Sequence, residues 1–484
     1  MRPLGIAARI ARHEWRILFS EQTPWLVFLL LALSIGYAVT NGLHWVEFQQ
    51  TTIRGALNEQ AQRYDGLKQQ VVDIQSGKQR APFADPRMPD AVGGRLAWTY
   101  AALPPLPLSP LSVGQSDVLP YYFKVSTASR ESVLTTNEIE NPHQLLHGRF
   151  DLSFVIVYLF PLLIIALGYN VISSEREHGT LALLLSQPVS LTTFMAAKIG
   201  VRAGLVVLLV IFFSLLGIVV GGVNLTSSDT LARLAIWTGI VAAYGAFWFG
   251  AVLAVAALGR SSATNALALA GLWLVLVVVV PSTLNMSVSA LYPMPSRVDM
   301  ISALRVASKD ASASGNRLLA KYYGDHPELA VESDVQKAMN DVAVTQLAIN
   351  EEIERQVRPV VDRYDIQLGR QQAVVDRFRL LSPAIVAQDA LNDVAGTGSA
   401  RYRHFVSMVE DYHRGWQALF ASMIVGKQKV TPAVYDALPQ FQYREEPFDA
   451  LVSRIAAALV FLVFAGGVLA AIGVSRLRRY PVAG

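Results

Sequence analysis

The chain has 484 residues, of which 52% are hydrophobic and 16% charged, with a net charge of +4 and no cysteine. Soluble domains usually carry about 25% charged residues, so this composition does not fit an ordinary soluble enzyme. Zero cysteine removes disulfides, thiolate metal sites and cysteine nucleophiles, and so small a net charge gives no ground for a nucleic-acid partner.

Taken in order, residues 1–22 read as a cytoplasmic amphipathic helix, with Arg2, Arg9, Arg12, His13 and Arg16 interleaved with Ile6, Ile10, Trp15 and Leu18. The first transmembrane span is expected at 24–42, opened by Pro24 and ending near Asn41 and Trp45. A signal peptide is the rival reading, with Ala38-Val39-Thr40 a poor cleavage site. Beyond the span, Val46, Ile53, Leu57, Gln60, Tyr64, Leu67, Val71 and Ile74 recur at three-and-four spacing. The helix is therefore expected to continue outward as a stalk to about Gln75, within a periplasmic segment 43–150. Prolines crowd Lys78 to Leu119, which reads as an extended loop, and Tyr121 to Ser126 alternates as one short strand.

Further spans are expected at 151–172, kinked by Pro161, and at 193–221, 233–258 and 263–281, the last ended by Pro281. A second periplasmic segment, 282–449, carries one helical stripe through Val342, Ile349, Ile353, Val357, Val360, Tyr364, Leu368 and Val375. A second stripe runs through Phe405, Met408, Tyr412, Trp416, Leu419 and Met423 after the Gly396-Thr397-Gly398 break. Leu57, Tyr64 and Leu67 of the stalk are expected to pack against Ile353 and Val357. The sixth span is 451–474, with a cytoplasmic tail 475–484 holding Arg476, Arg478 and Arg479. Small residues (Ala263, Ala266, Ala270 and Gly271; Ala465, Gly466, Gly467 and Ala470) permit close helix packing in the last two spans.

Six spans put both termini on one side, together with Lys198, Arg202 and Arg260. The positive-inside rule makes that side the cytoplasm of a bacterial inner membrane protein. The fold class is thus an all-α polytopic membrane protein with six transmembrane helices and a mainly helical periplasmic ectodomain.

Between the second and third spans lies Ser173–Ser190, SSEREHGTLALLLSQPVS. Glu175 and Glu177 precede a helix-competent leucine run, where the helix dipole favours acidic groups. Thr180 can cap the turn after Gly179, and Pro188 stops continuation. The residues alone leave two readings: a short surface helix offering leucines to a partner, or a loop helix packed back on its own bundle.

The run Ser173, Glu175, Glu177, Gly179, Thr180, Leu181, Leu185, Pro188 and Val189, followed by Lys198, resembles the segment after the second span of ABC-2 type permeases. The stretch before it, from Asn141, resembles the subgroup with large ectodomains related to the permease of nitrous-oxide-reductase maturation systems. This resemblance implies that residues 173–192 hold a coupling helix docking on a separate ABC ATPase subunit. Glu175, Glu177, Gly179, Thr180, Leu184, Leu185 and Pro188 are the coupling residues, and Glu175 and Glu177 are expected to find their partners on that other chain. ATP and magnesium would reside on the ATPase, this chain holding no cofactor of its own. A second permease protomer, the same or a related chain, would complete the exporter.

The remaining chemistry agrees with this division of labour. No G-x-x-x-x-G-K-[ST] run is present to hold phosphates, and the span interiors lack the Asp and Glu that ion-driven carriers keep there. Arg454 is expected to snorkel from the outer end of the last span. Glu175-x-x-His178 occurs once and has the spacing of a di-iron ligand pair, whereas His404 and His413, nine apart, fall on opposite helix faces. The function expected is the permease subunit of an ATP-driven exporter, with no catalytic site in this chain. The alternative is an ATP-driven mechanical transmitter acting on a periplasmic partner, with no cargo crossing the membrane.

Overall fold

The computed structural model describes residues 3–20, 22–82, 84–128, 150–187, 189–222, 225–294, 297–325 and 342–480. Six helices among them are long and apolar enough to cross a membrane. Helix α1 (Pro3–Ser20) precedes α2 (Gln22–Gln75), an unbroken helix of 54 residues, about 80 Å long. Strands β1 (Thr99–Ala102) and β2 (Tyr122–Val125) follow, paired antiparallel with Thr99 opposite Val125. The second spanning helix, α3 (Leu152–Glu177), turns at 169–172 before its last stretch, Ser173–Glu177. Then come α4 (Thr180–Leu185), α5 (Leu191–Val220), α6 (Ser228–Ala256) and α7 (Ser262–Leu291).

The centre of the bundle is α3 and α6, each two-thirds buried over its apolar window, while α7 and α14 (Phe448–Leu477) are 11% and 17% buried. Phe160, Trp237, Tyr244, Trp248 and Val252 fill the core. Leu208, Leu267 and Phe464 stand on the outside, the surface an acyl environment accepts and water does not. The closest helix approach is between α6 and α14. A Cβ added to Gly250 would lie 2.5 Å from the Gly466 carbonyl oxygen, and one added to Gly466 would lie 2.9 Å from the Phe247 Cα. Gly466 therefore serves packing within the chain, while Gly271 and Gly467 meet nothing within 4 Å.

Pro161 and Pro281 have no N–H to give to the preceding turn. In both helices a π-helical stretch comes just before the proline, Val155–Leu159 and Leu274–Val279. Neighbours take the carbonyls near these breaks. The Tyr244 hydroxyl donates to Val157 O at 2.9 Å, Trp273 Nε1 to Tyr158 O at 3.2 Å, and the Ser382 hydroxyl to Leu276 O at 2.6 Å. Because a carbonyl left unpaired in hydrocarbon is costly, the fifth helix is not ended by Pro281 as its sequence suggests. The widened turn absorbs the proline, and α7 continues to Leu291.

Beyond the end of the bundle opposite the termini, two apolar bodies form. Helices α8 (Arg297–Ala313), α9 (Gly315–Asp325) and α10 (Val342–Phe378) enclose Ala307, Ala311, Leu318, Ile353 and Val357. Helix α11 (Pro383–Ala395) lies against the spans themselves, its Ala387, Leu391 and Val394 belonging to the bundle core. Helices α12 (Ser399–Val425) and α13 (Pro432–Ala437) then pack with β1, β2 and the stalk, burying Tyr64, Leu67, Phe123, Phe405 and Trp416. The seam expected between the stalk and Ile353/Val357 is thus not made, and Leu57 is 43% exposed. A stripe identifies a buried face without naming its partner. Here the stalk took β1 and β2, which follow it closely, together with α12 and α13, which lie farther along the chain than Ile353 and Val357.

Candidate functional site

At the end of the bundle that carries both termini, one apolar cluster gathers Val171, Ile172, Leu181, Met195, Ala257, Leu477 and Tyr480, with Ile10 of α1 packed on it. The segment 173–187 is built on this cluster. Gly179 separates the end of α3 from α4 with φ +73°. Nothing within 4 Å would obstruct a Cβ there, so the left-handed backbone alone calls for glycine. Thr180 does not cap α4, since Gly179 occupies that position. Its hydroxyl instead donates back to Glu175 O at 3.0 Å and to the Glu175 carboxylate.

The structure gives both glutamates partners inside this chain. Glu175 Oε1 accepts from Lys198 Nζ at 2.8 Å. Glu177 accepts the Ser262 N–H at 2.7 Å and the Ser262 hydroxyl at 2.8 Å, adding to the cap that Ser261 provides to α7. Arg176 Nη1 donates to Gly259 O at 2.5 Å, and the Ser173 and Ser262 hydroxyls lie 2.8 Å apart. The reason is geometric: the tight 259–261 link between α6 and α7 ends at the same depth as the turn after α3. Its free N–H and carbonyl groups therefore face this segment.

A residue the sequence reading passed over completes the arrangement. Glu14 of α1 is 1% exposed; its carboxylate receives Arg202 Nε at 2.7 Å and stands 3.7 Å from Lys198 Nζ. Arg202 also donates to Leu167 O. Arg202, Glu14, Lys198 and Glu175 thus alternate in sign and tie α1, α5 and the segment after α3 together. The signal was present in the sequence: Glu14 is the one acid in an otherwise basic first helix.

The leucines divide by face. Leu181 is 2% exposed and Leu184 packs partly onto the cluster, while Leu183 is 71% exposed. Leu184, one of the expected coupling residues, thus packs partly inward, and among the described leucine side chains of α4 Leu183 is the exposed one. Pro188, the Leu185 side chain and the Asn141–Arg149 part of the resembling stretch lie outside the described residues. Nor do Glu175 and His178 converge as a ligand pair, because His178 Nδ1 sits 2.7 Å from Ser174 O while Glu175 faces Lys198. His404 and His413 meet separate carbonyls, Arg444 O and Ala128 O. Arg454 is held by Glu446 at 2.6 Å and Asp393 at 3.4 Å, an ion-paired anchor where snorkelling into solvent was expected.

An α-helical polytopic membrane protein is what this fold defines. Residues 124–282, from β2 through the proline of α7 and including the 173–187 segment, match the ABC-2 family transporter protein. Residues 297–444 match a domain of unknown function, DUF3526, which covers α8 to α13. The match to residues 124–282 supports an ABC-2 type permease, a membrane subunit of an ABC transporter rather than its ATPase. No curated protein and no solved structure matches it significantly.

Proposed function

We propose that this permease is the membrane subunit of an ATP-driven exporter and that the 173–190 segment is its coupling helix. Two permease protomers would pair with two ATPase subunits that carry ATP and magnesium. The termini and this segment would face the cytoplasm of a bacterial inner membrane, with the segments after α2 and α7 in the periplasm. The observation that carries the reading is the joint anchoring of the segment by Lys198 and Ser262. A push on Leu183 would move α5 and α7 together, because the glutamates link the segment to both. The glutamates then act as struts, and the exposed Leu183 supplies the apolar contact.

A charged substitution at the exposed leucine tests this. Leu183→Glu should leave detergent melting unchanged and cut stimulated ATP hydrolysis about tenfold, the scale of an interface anchor. Unchanged stimulation would remove the segment from the ATPase contact.

A second reading is favoured by α2, which runs without a break from the membrane through the stalk to Gln75. On that reading the spans work a periplasmic partner mechanically and nothing crosses. Uptake of labelled cargo into inverted vesicles, present or absent, separates the two.

A further inference from the structure

At the ectodomain end of the bundle a cavity of about 350 Å³ opens between α11 and α14. Its polar lining consists of Asp389 and Asp393 on α11, Arg454 on α14 and Arg379 just before α11. Its other walls are apolar, among them Val386, Ala457, Ala458 and Phe461. It continues along α14 to Val460 and Phe464, which are 68% and 70% exposed on the outside of the bundle. From Ala457 to Phe464 is about 10 Å of helix. Leu380, which also lines the cavity, is exposed. The shape is a polar head space with an apolar slot leading sideways into the lipid.

The charges in this head space are not equivalent. Arg454 is occupied by Glu446 and Asp393. Asp389 makes no hydrogen bond or ion pair among the described residues. It is exposed at the mouth of the groove, and the groups packed around it push its carboxyl upward. Asp393 and Asp376 push the same way, and Arg379 pulls back. An exposed carboxylate with no partner among the described residues is free to pair with a cation brought to the groove, since opposite charge favours the ionised form. A bare metal ion would find this one free carboxylate and apolar walls, whereas an ammonium on an alkyl body matches both halves of the groove.

We propose that the groove between α11 and α14 binds an amine-headed amphiphile taken from the lipid leaflet on the ectodomain side, with its ammonium at Asp389 and its apolar body along Ala457, Val460 and Phe464. The shared chemistry, a primary ammonium on an alkyl body, occurs in phosphatidylethanolamine and in free long-chain amines. In the phospholipid the phosphate would lie toward Arg379.

The test uses the full chain in phosphatidylglycerol nanodiscs, titrated with phosphatidylethanolamine, with its N-acetyl derivative and with octadecylamine, and read by native mass spectrometry. At least one primary amine should be retained about tenfold better than the N-acetyl lipid. Asp389→Asn should abolish that preference, Asp389→Glu should keep it, and Ala457→Trp should weaken amine binding by filling the slot. Retention of phosphatidylethanolamine alone makes the source a phospholipid; retention of octadecylamine alone makes it a free amine. Both outcomes support the site. Equal retention of the N-acetyl lipid, or an amine preference that survives Asp389→Asn, would reduce the groove to ordinary lipid contact and overturn the proposal. Photocrosslinking from a benzoylphenylalanine at Val460, which leaves Asp389 in place, gives the same answer if the Asp389 variants fold poorly.

Discussion

Glu177 accepts both the backbone N–H and the hydroxyl of Ser262, at 2.7 and 2.8 Å, so the turn that ends the second span also caps the first turn of the fifth. The amide N–H groups at a helix start have no intrahelical partner, and a carboxylate there is favoured by the dipole. Glu177→Gln keeps one acceptor and should lower the melting temperature slightly, and Glu177→Ala should lower it more. Ser262→Ala removes one of the two bonds and should fall between wild type and Glu177→Ala. Melting curves that coincide for all four proteins would show that the cap carries no weight.

Glu14 is more deeply buried than Lys198 in the alternating charge row. Glu14→Gln removes the counter-charge of Arg202 and leaves Lys198 with Glu175 alone, so thermal unfolding should show a loss of about 3–5 kcal/mol, the usual scale when one partner of a buried pair is deleted. Arg202→Gln should cost a comparable amount. The double change should cost less than the sum of the two, and strict additivity would mean that the pair is not coupled.

The two bodies of the ectodomain should report separately. Trp416→Ala empties the core under the stalk and should cost about 3–5 kcal/mol, and Ile353→Ala, in the α8–α10 body, about 2–5 kcal/mol. Since the two sites share no cluster, their effects should add within about 0.5 kcal/mol. Leu57→Ala should be nearly neutral, because Leu57 is exposed. A large cost at Leu57 together with strong coupling between the bodies would restore the single seam that the sequence suggested.

Asp389 gives a pH signature. Its ordinary carboxyl value is about 3.9 and its folded value is raised to about 7, first by the low-dielectric walls around it, although the residue itself is exposed at the groove mouth, and then by Asp393, with Arg379 opposing. Between those values the folded protein binds more protons than the unfolded chain, so this group's contribution makes stability fall as pH rises from about 4 to about 7. Asp376 on α10, and Arg454 with Glu446 across the groove, are the other charges around it. Asp389→Asn should flatten the stability profile across that window and leave the protein relatively more stable at pH 8. An unaltered slope would show that Asp389 titrates normally.

Much of this was legible in the sequence wherever a periodic pattern meets a local consequence. Apolar runs marked the spans, and the three-and-four stripe from Val46 to Ile74 marked a helix that leaves the membrane without stopping. The S-x-E-x-E-x-G-T-L run marked the candidate site. Pairing across distance was not legible. Nothing local joins Glu177 to Ser262, Glu14 to Arg202, or Thr99 to Val125, because each pairing is settled by which helices pack. Pro281 misled because a proline shows only that an N–H is missing. Whether the helix stops or widens depends on whether something such as Ser382 is there to take the freed carbonyl. Helix α11 went unnoticed because its apolar and polar residues fit a helix on the bundle end as well as a loop helix in water.

The central claim, that the 173–190 segment contacts the ATPase through Leu183, has a direct measurement. The chain contains no cysteine, so Leu183→Cys introduces its sole thiol. With the cognate ABC ATPase co-expressed and carrying a single cysteine on its permease-facing surface, oxidative crosslinking in membranes should join the two chains, and ATP should change the yield. Leu267→Cys, on the outside of α7, should give none. An ATPase adduct at Leu267 but not at Leu183, or none at either position while ATP hydrolysis remains coupled, would contradict the account.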